Sequence, residues 1–253
     1  MTRNLRIYLL SGLAMLALFS CSDDDDAKPA DSLEDVRLSF ADETEIVEVP
    51  TALKNSSNIY AQQAAGYIQQ INGMGAYTAN FLPPTNAVKT NTPVTASNGR
   101  VARTNKEYLV YTWEDGGYGI TYQISESGDN YVFEIFYKLG ATADYLKFVH
   151  AEESKSGKSG SMKIFNIFAE GDESTILVNY TWNTAADGTV SFVADFVDTA
   201  FRYEVVVKSD GSGEVKYLID GELSYHMTWT VSGDGTWKFY ESGSITSEGS
   251  WTA

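Results

Sequence analysis

Cysteine is almost missing from this chain. Of 253 residues only Cys21 is one, so no disulfide can close within it, even in an oxidising compartment. Histidine is nearly as scarce, with His150 and His226 alone. They have no cysteine partner in the fold and no HExxH spacing, so no metal site is expected, and His226 reads as a solvated strand residue. Basic residues are outnumbered, 18 Lys and Arg against 34 Asp and Glu, for a net charge of −16. Such a chain is not expected to bind nucleic acid, where affinity comes from neutralising phosphates. It should also be repelled by anionic membrane surfaces. Nucleophile motifs such as GxSxG are absent, and the glycines sit in turns rather than in a phosphate-cradling loop. Asp210-Gly211-Ser212-Gly213 and Ser232-Gly233-Asp234-Gly235 lack the spacing of an EF-hand and read as turns. No cofactor and no catalysis are expected. The enzyme alternative is a glycosidase-like pair of carboxylates from separate strands.

The start of the chain carries an address. Arg3 and Arg6 precede an apolar run from Ile7 to Phe19, broken only by Ser11 and Gly12, and the small Ser20 stands before Cys21. This has the parts of a signal peptide, 1–20, and is too short for a spanning helix of about 20 apolar residues. Leu18-Phe19-Ser20-Cys21 resembles the lipobox of bacterial lipoproteins, with Phe19 bulkier than usual at its position. The resemblance implies a Cys21 that carries diacylglycerol and an acylated amino terminus, a membrane attachment that several acyl chains make effectively permanent. Ser22 and the run Asp23, Asp24, Asp25 and Asp26 resemble the acidic export signal of surface lipoproteins in the Bacteroidota. That implies an outer-membrane protein displayed on the cell surface, where it can join a surface protein complex.

Residues 21–50 read as the anchor and an acidic stalk, with eleven acidic residues against Lys28 and Arg37. Val36, Leu38, Phe40, Ile46, Val47 and Val49 suggest an early strand within it. Residues 51–253 fit one β-rich domain. It opens on a helix over 58–72, where Tyr60, Ala64, Tyr67, Ile68 and Ile71 share one stripe. Ser56 or Ser57 is the expected cap and Gly73 the expected end. From Gly75 to Arg100 the Asn, Thr and Pro content predicts a long connection with a short strand from Tyr77 to Phe81, able to cover one mouth of the sheet.

From Glu107 onward the period is two. Twelve strands are expected, at 107–113, 117–125, 130–138, 145–152, 161–168, 175–183, 189–196, 201–208, 213–220, 222–231, 235–241 and 245–252, punctuated by Asp-Gly and Ser-Gly turns. The fold class is mostly β: an antiparallel meander forming an open or closed barrel or a flattened sandwich, with the helix on its apolar face. In architecture this resembles the lipoprotein-carrier fold of bacterial envelopes. A transmembrane barrel is excluded by segments near eight residues and by charged polar faces. Most strands show one apolar and one wet face, as where Tyr118, Ile120, Tyr122 and Ile124 alternate with Gly119, Thr121, Gln123 and Ser125. Strands 130–138 and 161–168 are apolar on both, with Phe136 beside Phe133 and Phe165 beside Phe168, so a cover is expected on their outer side, either the connection 75–100 or a second copy of the chain. No long repeat stands out, although Gly235-Thr236-Trp237 echoes Gly249-Ser250-Trp251.

Aromatics are the enriched resource, with sixteen Tyr, twelve Phe and five Trp. Twelve strands enclose more space than their own side chains fill. The function expected is non-catalytic binding of a small apolar or amphipathic ligand in a cavity between helix and sheet, lined by Tyr122, Trp182, Tyr203, Tyr225 and Trp229. The alternative is an adhesion or glycan-contact protein that uses exposed aromatics and has no cavity.

Overall fold

A computed structural model describes residues 32–38, 47–79, 82–95, 107–140, 142–168 and 175–253, with the side chains of α2 described as far as 73. Cys21, Ser22 and Asp23 to Asp26 lie outside the described residues. Two helices come first, α1 (Thr51–Lys54) and α2 (Ile59–Ala79). Then follow β1 (Val88–Thr90), β2 (Tyr108–Asp115), β3 (Tyr118–Ser127), β4 (Asn130–Lys138), β5 (Tyr145–Ser154), β6 (Ser159–Asn166) and β7 (Thr175–Thr184). The rest are β8 (Val190–Phe196), β9 (Phe201–Val207), β10 (Gly213–Ile219), β11 (Glu222–Trp229), β12 (Gly235–Glu241) and β13 (Ser244–Trp251). All thirteen belong to one antiparallel sheet in sequence order, each paired with its neighbour along the chain, and β1 and β13 are its free edges. The sheet is open, not a closed barrel. The twelve expected strands are present within a few residues of their predicted bounds, and the connection 75–100 contributes the thirteenth, β1.

The inner face carries α2. Ala64, Tyr67, Ile68 and Ile71 of the predicted stripe are buried against it, joined by Ala61 and Ala65, while Tyr60 is half-buried. The helix crosses the strands. Tyr60 stacks on Trp237 of β12 at 5.3 Å, and two turns later Tyr67 meets Tyr203 of β9 and Tyr217 of β10 at 6.0 and 5.4 Å. Its ends differ from expectation. Asn58, not Ser56 or Ser57, is the cap: its Oδ1 accepts the Tyr60 N–H at 2.9 Å, while Ser56 Oγ accepts the Asn58 N–H at 3.0 Å. Nor does Gly73 stop the helix. A glycine ends a helix by turning left-handed, but Gly73 stays helical and the helix runs on to Ala79, short of Pro83-Pro84. The strand expected from Tyr77 is therefore helical as far as Ala79, and Phe81 lies outside the described residues.

No strand forms in 32–38 or 47–50, yet Val36, Leu38, Val47 and Val49 are buried in the common core, so it draws in part of the acidic segment. The Asn72 amide replaces a ladder partner for Val47, accepting its N–H at 3.0 Å and donating to its carbonyl at 2.8 Å.

The outer face also departs from simple alternation. Thr121, Gln123 and Ser125 of β3, expected to be wet, are buried, as are Val132 and Phe136 of β4. The connection returns over them: β1 pairs with β2, and the Val94 N–H donates to Gln123 Oε1 at 3.0 Å. Elsewhere local register decides. The ladder slips between Tyr217 and Leu218, so Leu223 pairs with Leu218 and leaves the row of Tyr225. Phe168, expected on a strand, lies beyond β6 and is 76% exposed.

A repeat that the sequence reading passed over emerges in the last two hairpins. Gly213 pairs with Trp229 and Gly235 with Trp251, twenty-two residues on. Each indole lies so close over its glycine that a Cβ there would clash with the ring. Each indole N–H then donates to the carbonyl of the turn glycine, Trp229 to Gly211 at 3.0 Å and Trp251 to Gly233 at 2.8 Å. Trp182 covers Gly160 in the β6–β7 hairpin, and Trp237 covers Gly249. The echo of Gly235-Thr236-Trp237 in Gly249-Ser250-Trp251 is thus a reciprocal cross-strand pair.

Candidate functional site

The five aromatics expected to line a cavity are all buried on the inner face. Tyr203 and Tyr225 join one ring cluster with Tyr217, at centroid distances of 5.3 and 5.6 Å from it, and Tyr67 of α2 closes the cluster. The Tyr203 hydroxyl donates to the Tyr67 carbonyl at 2.9 Å, and burial raises its pKa. Trp182 and Trp229 lie over glycines, as above. Tyr122 stands apart, 6.4 Å from Phe133, with its pKa pushed up by burial and drawn the other way by Arg37. The middle of the helix–sheet interface is thus packed ring on ring. Sequence reasoning missed Tyr67 and Tyr60, which bring the helix's own rings into that space, although both stand in the predicted stripe.

Open space is found away from α2, beside the turns of the sheet. A cleft of about 590 Å³ lies between residues 47–52, which include the start of α1, and the turns at Gly188, Ser209–Gly211 and Val231. Its formation follows from two glycines. Gly211 and Gly233 take φ of +84° and +86°, and their missing side chains seat Pro50 and Ala52: a Cβ would meet Pro50 Cγ at 3.4 Å and Ala52 Cβ at 3.0 Å. Val47, Pro50, Ala52, Val190, Val207 and Val231 supply apolar wall, and Val231 is 56% exposed. Glu48, Lys208, Ser209 and Asp210 supply polar groups. Asp210 is spoken for: its Oδ1 accepts the Ser212 hydroxyl at 2.7 Å and N–H at 2.8 Å, which holds its carboxyl below the usual range. Lys208 makes no ion pair among the described residues. The sequence signals for this cleft were the Asp-Gly turns and Val47, Val49 and Pro50, read separately as turn and stalk.

The outer face holds the two histidines, each in a cluster with glutamate and lysine. Glu134 Oε1 accepts from Lys147 Nζ at 2.5 Å and lies 3.3 Å from His150 Nδ1, and its Oε2 accepts from Gln123 at 2.8 Å. His150 Nε2 is 3.1 Å from Glu152. Burial pushes the Glu134 carboxyl up, but the hydrogen bonds of His150, Lys147 and Gln123 outweigh it and hold the pKa at about 2. In the second cluster Glu214 accepts from Lys216 at 2.7 Å and contacts His226 Nε2 at 2.8 Å. His226, expected to be solvated, is thus tied to a carboxylate. Both ring nitrogens of His150 thus face carboxylates, whereas His226 is held through Nε2 alone. Among the described residues no group of three His, Cys, Asp or Glu could hold a metal ion. No helix among them is long and apolar enough to cross a membrane.

A search against protein-family models finds none that matches the chain, and a search of curated proteins finds no match.

Proposed function

We propose that the protein is a lipid-anchored, non-catalytic binding module of the outer membrane, displayed at the cell surface, that takes a small amphipathic ligand in the cleft between α1 and the sheet. The anchoring rests on Cys21 behind its lipobox-like run, and the display on Asp23 to Asp26. The observation that carries the binding is the cleft itself. Its 590 Å³ falls within the roughly 300–1,000 Å³ typical of small-molecule sites. Its walls are apolar on both sides, and Lys208 at the mouth can orient a polar head group. The ligand's apolar part lies along Val190, Val207 and Val231, beside the turns rather than among the packed rings beneath α2.

Titration of the purified protein with a fluorescent fatty acid tests this. Saturable uptake is expected, weakened at least tenfold by Val231→Glu, which sets a charge against the apolar part. Lys208→Ala weakens a carboxylate-headed probe and leaves its alcohol analogue unaffected. Absence of saturable uptake overturns the reading. The anchor is tested separately by mass spectrometry of the mature amino terminus, where an acylated Cys21 is expected and an unmodified thiol refutes it. Replacing Asp23 to Asp26 by alanine should protect the domain from protease added to intact cells.

A further inference from the structure

We propose a second binding site, on the outer face of the sheet, that takes a neutral saccharide in an open groove of about 670 Å³ at the turn end of β2 to β5. Its base is one cross-strand row. Glu114 pairs with Gly119, Gly119 with Lys138, and Lys138 with Tyr145, so four consecutive strands each place one residue on this face. Adjacent strands are about 4.8 Å apart, so a carboxylate and an ammonium flank a glycine floor. That floor must stay bare, because a Cβ on Gly119 would already press on Lys138 Cβ at 3.3 Å.

Neither Glu114 nor Lys138 makes an ion pair among the described residues. Lys138 Nζ instead sits 5.5 Å from the centroid of the Tyr145 ring. Asn86 adds an amide on the side of β1, where the Thr112 hydroxyl donates to the Val88 carbonyl at 3.5 Å. A carboxylate acceptor, an ammonium donor and an amide line the groove together with an aromatic ring. That set matches vicinal hydroxyls on a pyranose whose C–H face rests on Tyr145. An apolar ligand would leave these polar groups unpaired. A polyanion would meet a protein of net charge −16. The groove shares no lining residue with the α1 cleft, so the two sites are separable.

Affinity electrophoresis of the full chain in gels containing dextran, laminarin or galactan tests the proposal, with polygalacturonate as the anionic comparator. At least one neutral polysaccharide should retard the protein, and polygalacturonate should not retard it more. Tyr145→Ala and Gly119→Leu should each weaken that retardation at least tenfold. Glu114→Gln, on an exposed side chain, should weaken it at least threefold without loss of thermal stability. Failure of all three neutral polymers, stronger retardation by polygalacturonate, or retardation indifferent to Tyr145→Ala and Glu114→Gln would overturn the assignment.

Discussion

The first strands and the last strands of the sheet solve the same problem in opposite ways. Along the middle of β3 and β4 both faces are buried, the inner by the core and the outer beneath the returning connection 82–95, so polar residues such as Thr121 and Gln123 are enclosed. In β10 to β13 the inner face is apolar and most of the outer face is polar. The outer face carries a cross-strand row of Lys216, His226, Lys238 and Glu248 in water. Each region holds a glutamate shared between a lysine and a histidine, but the Glu134 side chain is 16% exposed and that of Glu214 33%. The same residue types therefore form a nearly enclosed network in one place and a solvated ladder in the other. What decides is whether a second layer of chain lies above them.

The largest expected effect concerns what the two regions have in common, the helix beneath. Ile68→Asp would bury an unpaired charge at a fully enclosed position and should cost about 3–5 kcal/mol in chemical denaturation. An unchanged midpoint would mean that α2 is not packed on the sheet. Next, Gly235→Val should cost about 1–3 kcal/mol or more, because its side chain would collide with the Trp251 ring and the Thr228 carbonyl. That substitution strikes the late strands only.

The two glutamates sharpen the contrast further. Glu134→Gln should cost roughly 1–3 kcal/mol at neutral pH, and Glu214→Gln less than about 1 kcal/mol. The folded pKa of Glu134 is depressed to about 2 from an ordinary 4.5. Its stabilisation is therefore complete above pH 4.5 and lost as the pH falls through 2. Urea titrations across that window should show the gap between wild type and Glu134→Gln closing, while the Glu214→Gln gap stays small throughout. Last and smallest, Lys238→Ala should change stability by no more than about 0.5 kcal/mol, because its partner Glu248 lies 3.6 Å away on an exposed edge.

The late strands were legible in the sequence because their alternation obeys one rule, apolar inward and polar outward, and every turn after β9 is marked by glycine. Tyr203, Val205 and Val207, or Tyr225, Met227 and Trp229, announce their face without help from the rest of the chain. The early strands were legible in position and in part in environment, because the large apolar groups on both faces of 130–138, such as Phe136, call for a cover on the outer side. Nothing local in Thr121 or Gln123 says that Val94 will lie across them, because that cover comes from a segment rich in Asn and Thr. The cleft was illegible for a related reason: its walls come from residues 47–52 and from turns more than 130 residues later. Gly211 and Gly233 looked like ordinary turn glycines, and only the proximity of Pro50 and Ala52 reveals their second duty. The expectation of a central cavity treated the strands as the only source of filling, and so left Tyr60 and Tyr67 out of the volume.

Because each strand pairs with the next one along the chain, the sheet can change size without being rewired. The hairpin from Gly213 to Trp229 and the hairpin from Gly235 to Trp251 are the same length. Each begins and ends at the same end of the sheet, contains an even number of strands and returns its tryptophan to the same face. Duplication or deletion of one such unit therefore preserves the direction, facing and register of every strand before it. The Gly–Trp pair is the joint at which the units meet, since Trp229 of the first pairs with Gly235 of the second.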